Sequence, residues 1–113
     1  MTIQELIDSG LFEIVNAGTE TDREIKDVFC CDLLSIAMSR GIEDAAWVTV
    51  MGNINTLAVM SLTDMACIIL AEGISMDETG LAKAKTEGFT VLRTEEPVFA
   101  AARKIYERLQ TED

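Results

Sequence analysis

Histidine is absent from this chain of 113 residues, and that absence removes the usual general base, the commonest metal ligand and every Ser-His or Cys-His pair. Phosphate-cradling loops are missing as well, since neither G-x-G-x-x-G nor G-x-x-x-x-G-K-[ST] occurs. Aromatic residues make up only 5% of the chain against 49% apolar residues overall, so Leu, Ile, Val, Ala and Met must fill the core. That composition favours helices packed on a sheet over an aromatic-rich sandwich. Positive charge is scarce: 9 Lys and Arg face 20 Asp and Glu, a formal net charge of −11. With no basic patch, the chain is expected to bind neither nucleic acid nor membrane surfaces. No apolar run approaches the length of a membrane span and no signal-like segment opens the chain, so a cytoplasmic location is expected. The three cysteines cannot all pair within one chain and none has C-x-x-C spacing, so free thiols are expected. Cys30 and Cys31 are neighbours that a regular strand would point to opposite faces, and Cys67 lies in an apolar run that reads as core. Neither a metal nor a cofactor is expected.

What is present is an alternation of short apolar runs with helical patterns, which predicts one α/β domain over residues 1–113 with a central, largely parallel sheet flanked by helices. The N-terminal helix-strand region is less regular. Thr2-Ile3-Gln4-Glu5 forms a capping box for a helix over residues 3–9 that Gly10 ends. Leu11 to Val15 is a strand candidate, closed by the turn-forming Asn16-Ala17-Gly18. A polar loop, Thr19 to Glu24, leads to a second strand over Ile25 to Cys31, with Asp32 as N-cap of a helix from Leu33 to Ser39 that Gly41 closes. Ala46 to Met51 reads as the central strand, because it is nearly continuously apolar and β-branched. A buried helix over Thr56 to Thr63 follows, then a buried strand over Ala66 to Ala71. Ser75-Met76-Asp77-Glu78 reads as a second capping box for a helix ending near Gly88. Phe89 to Leu92 supplies another strand, and Thr94 is expected to cap a last helix with Pro97 in its first turn and a buried stripe of Val98, Ala102, Ile105 and Leu109. Strand, helix and strand in this succession imply right-handed crossovers.

Reactive candidates are few. The acids fall in helix first turns, loops and the Thr111-Glu112-Asp113 tail, where capping or solvation accounts for them, and Met51, Met60 and Met65 read as core filler. No catalytic residue is assigned. One arrangement can hold a ligand: the loops leaving the carboxyl ends of parallel strands gather on one edge, where open α/β folds bind small molecules. Those loops carry Asn53, Asn55, Ser75, Arg93 and Thr94, offering helix N-termini and one guanidinium to a small anion. The alternative is that these residues are simply caps, needed by any such fold and worth about 1 kcal/mol each.

The run Asp22-Arg23-Glu24-Ile25-Lys26-Asp27-Val28-Phe29-Cys30-Cys31-Asp32-Leu33-Leu34-Ser35, with Trp47-Val48-Thr49-Val50, Cys67 to Leu70, Glu72-Gly73 and Val91-Leu92, resembles the DRTGG domain family. Asp22, Arg23 and Asp32 are the positions matched to its motif. Lys26-Asp27 depart from its Thr-Gly-Gly, and Met51-Gly52-Asn53 stands where many relatives have Gln and His. The resemblance implies a non-catalytic regulatory or protein-interaction domain that self-associates, in a setting of redox or energy metabolism. The alternative is a small-molecule sensor binding a nucleotide or other small anion at the carboxyl edge of the sheet. A homodimer is therefore expected, with a protein partner or a small anionic ligand. Leu11, Phe12, Ile14 and Phe29 are the expected interface, because they put apolar side chains on short strands near an edge with no evident cover.

Overall fold

In a computed structural model, which describes residues 1–111, the elements run α1 (Ile3–Asp8), β1 (Glu13–Asn16), β2 (Asp27–Cys30), α2 (Leu34–Arg40), β3 (Ala45–Thr49), α3 (Ile54–Thr63), β4 (Cys67–Leu70), α4 (Glu78–Glu87), β5 (Val91–Arg93) and α5 (Val98–Gln110). The acids Glu112 and Asp113 of the expected solvated tail lie outside the described residues. The five strands form one sheet in the order β1-β5-β4-β3-β2. Strands β2 to β5 are parallel, and β1 joins β5 antiparallel at one end.

Strict alternation along the strands builds two cores. Ala46, Val48, Cys67, Ile69 and Leu92 face α1 and α5, whereas Ala45, Trp47, Ile68, Leu70 and Val91 face α2, α3 and α4. Burial on both faces is why β3 and β4 read as unbroken apolar runs instead of alternating ones. They are interior neighbours, paired Ala46 with Cys67 through Thr49 with Leu70. On α5 the buried residues are Ala101, Ala102 and Ile105, with Val98 and Leu109 half-buried against them. Met60 and Met65 are buried, and Met51 packs against their cluster.

The first capping box forms as expected: Thr2 Oγ1 accepts from the Glu5 N–H at 3.1 Å and Glu5 accepts from the Thr2 N–H at 2.9 Å. Three other caps differ. Asp32 does not cap α2, whose first turn has no side-chain cap; its carboxylate is held by Thr49 and Val50 instead. Asp77, not Ser75, caps α4 by accepting from the Gly80 N–H at 2.7 Å. Thr94 is buried, and α5 begins after Pro97, so Thr94 only accepts from the nearby Glu96 N–H at 3.2 Å. For Asp32 and Thr94 a neighbouring polar group takes the side chain that the local pattern assigns to a helix end, and for α4 it is Asp77 that stands directly before the first helical residue, within reach of the Gly80 N–H. Strand β1 also starts later than Leu11, because Leu11 and Phe12 turn into the α1/α5 core before the chain pairs with β5.

Candidate functional site

The carboxyl edge does gather the three expected loops. The Asp77 N–H donates to the Gly52 carbonyl at 2.9 Å, joining the loop after β3 to the loop after β4. Gly52 is required there because a Cβ would lie 2.3 Å from the Ser75 carbonyl oxygen. Arg93, at the end of β5, joins the same group by donating to Gly73 O at 2.7 Å and Ile74 O at 3.4 Å.

The same contacts describe what this edge has left to offer. Arg93 also donates to Glu13 at 2.6 Å and Glu95 at 3.0 Å, so its fork is engaged on several sides by its own chain. The Asn53 side-chain oxygen accepts from the N–H groups of Asn55 and Thr56, which consumes the α3 N-terminus, and Asp77 does the same for α4. Asn55 and Ser75 are exposed. The edge is thus largely self-satisfied, with carboxylates already standing on its arginine.

The family-motif positions separate to opposite edges. Asp32 sits at the carboxyl end, where Oδ1 accepts from Thr49 Oγ1 at 2.7 Å and from the Val50 N–H at 2.9 Å, tying the β2–α2 loop to the end of β3. Arg23 sits at the amino end. It donates to Asp44 Oδ1 at 2.8 and 3.0 Å and to Asp64 Oδ1 at 3.1 Å, bridging the residue before β3 to the residue that ends α3. Both aspartates have positive φ, 64° and 57°, a conformation Asp tolerates better than most residues. The Asp44 N–H donates to the Asp64 carbonyl at 3.0 Å and closes the cluster. Asp22 is exposed. The sequence carries a signal for this cluster: an Asp shortly before each of the two most apolar strands, with an Arg in the loop ahead of β2.

Hydrogen bonding from Arg23, offset in part by burial and reinforced by the charges of Arg23 and Lys26, holds the Asp44 carboxyl below its usual range. A carboxyl whose folded pKa is depressed adds stability that is complete above the ordinary carboxylate range and is lost as pH falls through the folded value. Arg23→Ala removes these charge-assisted hydrogen bonds and, with solvent screening taken into account, should cost about 1–2 kcal/mol in urea unfolding at neutral pH, and the penalty should shrink in acid as Asp44 protonates in the wild type. An equal penalty at both pH values would assign the loss to packing instead.

Nucleophilic chemistry has little support among the described residues. All three thiols are free. Burial pushes the Cys67 thiol up to about 12, and burial, then the charges of Asp32 and Cys31, push Cys30 up as well, so the reactive thiolate is disfavoured at both. No group of three or more Cys, Asp or Glu is arranged to hold a metal ion among the described residues, and no helix there is long and apolar enough to cross a membrane.

The expected interface residues do not form one surface. Phe12 is 7% exposed inside the α1/α5 core, while Ile14 is exposed on β1. Phe29 lies on β2 at the other end of the sheet, roughly 19 Å away across four strand spacings. Other apolar side chains stand exposed: Leu33, Ile36 and Met38 at α2, and Phe99 and Tyr106 on α5.

No family model matches the chain, and no curated protein is found similar to it. Among solved structures it is similar to the CBS and DRTGG domains of the regulatory region of Clostridium perfringens pyrophosphatase, complexed with the activator diadenosine tetraphosphate. The TM-score is 0.63 at 15% identity, over 90% of this chain and 44% of that one. At that identity the likeness is one of fold, and it supports a DRTGG-like fold for this domain.

Proposed function

We propose that this protein is a non-catalytic regulatory or interaction domain that works by association, with itself first of all. The observation that carries the reading is α2: it buries only Ala37, while Leu33, Ile36 and Met38 stand 57%, 46% and 45% exposed. Leu33 and Ile36, three residues apart at the start of α2, are neighbours, and exposed apolar side chains on a protein with this much charge favour a partner. The self-satisfied carboxyl edge and the raised thiol pKa values agree with a non-catalytic role, as does the regulatory character of the pyrophosphatase region that shares the fold. A cytoplasmic setting is the expectation from the sequence, and a link to redox or energy metabolism is what the family resemblance implies.

The test is sedimentation velocity over a wide concentration range. A dimer is expected for the wild type, and Leu33→Glu combined with Ile36→Glu should give a monomer with an unchanged far-UV spectrum, since both side chains are exposed. A wild type that stays monomeric throughout would overturn self-association.

The second reading, a sensor of a nucleotide or other small anion, is favoured by the activator bound to the pyrophosphatase region. In this chain Asn53, Asn55, Ser75, Arg93 and Thr94 would line the site, and an anion would have to displace Glu13 or Glu95 from Arg93. Diadenosine tetraphosphate at a hundred times its dissociation constant should add about 2.7 kcal/mol of stability. A flat thermal-shift response to it and to inorganic phosphate counts against this reading.

A further inference from the structure

Strand β2 is the outermost strand on its side of the sheet, so one edge of its backbone has no strand beside it. Helix α5 packs along it. Between them lies a groove of about 420 Å³ lined by Val28, Cys30, Phe99, Ala102, Arg103 and Tyr106. Phe99 and Tyr106 are 75% and 53% exposed, although rings of this size are usually buried in a core or an interface. Arg103 is exposed and has neither an ion pair nor a hydrogen bond among the described residues, in a chain with 20 acids to 9 Lys and Arg. The groove therefore combines an open strand edge, apolar walls and one uncompensated cation, with no carboxylate among its lining residues.

We propose that this groove docks an extended segment of another polypeptide, which adds to β2 as a sixth strand, places a bulky apolar side chain on Phe99, and sets a carboxylate on Arg103 beside Tyr106. This rests on the interaction-domain reading and names a second, distinct surface with its class of partner. The spacings agree: residues i and i+2 of a strand share a face and stand about 6.8 Å apart, while Phe99 and Arg103, four residues apart on a helix, are separated by about 6 Å. Backbone pairing then supplies affinity and the two side chains supply specificity, as in other strand-addition complexes. A second copy of this chain is a poorer occupant. A two-fold contact sets the groove against the groove of a second copy, which brings no carboxylate for Arg103 among its lining residues, and each copy brings a net charge of −11.

The probe is the blocked peptide acetyl-Thr-Phe-Thr-Glu-Thr-amide, titrated into the isotope-labelled full chain and followed by backbone amide shifts. Saturable shifts confined to β2 and α5 are expected. Arg103→Ala should weaken binding about tenfold, and the Glu-to-Gln peptide should bind wild type and Arg103→Ala alike, because the charge pair is already lost. Arg103 is exposed, so the variant tests docking without testing the fold. Absence of saturable shifts up to millimolar peptide, shifts mapping to another surface, or equal binding by Arg103→Ala would each overturn the proposal. So would dilution of the unliganded wild type shifting the same β2 amides, which would make a second copy the occupant. The α2 variants keep the two readings apart: if Leu33→Glu with Ile36→Glu leaves the association state unchanged while the peptide still binds, self-association through α2 fails and the groove proposal stands.

Discussion

Phe12→Asp should unfold the domain outright, without releasing a folded monomer. On sequence grounds Phe12 belongs to an exposed strand near an edge, and an acid there would separate a dimer. In the fold it is 7% exposed and belongs to the cluster of Met1, Ile3, Leu6, Ile25 and Ile105. Removing a buried Phe costs about 3–5 kcal/mol through lost transfer energy and the cavity left behind, and a carboxylate placed there must also lose its hydration or draw water into the core. Domains of this size are stable by about 5–15 kcal/mol in all. Far-UV circular dichroism and amide dispersion should show a largely unfolded chain at room temperature. A folded monomer from this substitution, at concentrations where the wild type is a dimer, would return Phe12 to an interface.

Trp47→Ala should be the most costly truncation on the other side of the sheet. The ring is fully buried and its Nε1–H donates to the Cys31 carbonyl at 2.9 Å, so one side chain both fills the core and pins the chain where it leaves β2. Phe29 lies across it with ring centroids 6.1 Å apart and planes at 60°. Loss of about 3–5 kcal/mol is expected from the cavity, with further loss where the Cys31 carbonyl is left without its donor. Trp47→Phe separates the two parts, because it keeps much of the volume and removes only the donor, and should cost about 1–3 kcal/mol. This is the only Trp in the chain, so urea unfolding must be followed by circular dichroism, not by fluorescence. Equal losses for Ala and Phe would mean that the hydrogen bond, not the volume, is what β3 depends on.

The apolar runs that became β3 and β4 were legible because both faces of those strands are buried, and burial on both faces leaves no polar alternation to confuse the period. Glycine turns were legible for the same local reason: Gly10 and Gly88 end their helices at φ of 72° and 75°, which other residues rarely adopt. The helix starts were less secure. Asp32, Ser75 and Thr94 each had the right residue type for a cap, yet Asp32 is drawn to Thr49 and Val50, Asp77 takes the place of Ser75, and Thr94 is buried before Pro97. A cap is a competition between hydrogen-bond partners, and the winning partner of Asp32 comes from a different part of the chain.

By itself, then, the sequence determined the class of this protein: a helix-covered, largely parallel sheet, acidic, without histidine and without a phosphate loop. Those properties follow from composition and from periodicities read a few residues at a time. Only the tertiary structure decided which candidate residues meet. It carried Asp22 and Arg23 to the amino edge and Asp32 to the carboxyl edge, set Phe12 and Phe29 at opposite ends of the sheet, surrounded Arg93 with Glu13 and Glu95, and left Arg103 unpaired among the described residues beside an open strand. The strand order β1-β5-β4-β3-β2 is the physical reason. Which strands lie at the edges depends on long-range pairing, and a residue type does not reveal whether its charge or its apolar face will find a partner 21 or 80 residues away, as Arg23 finds Asp44 and Arg93 finds Glu13.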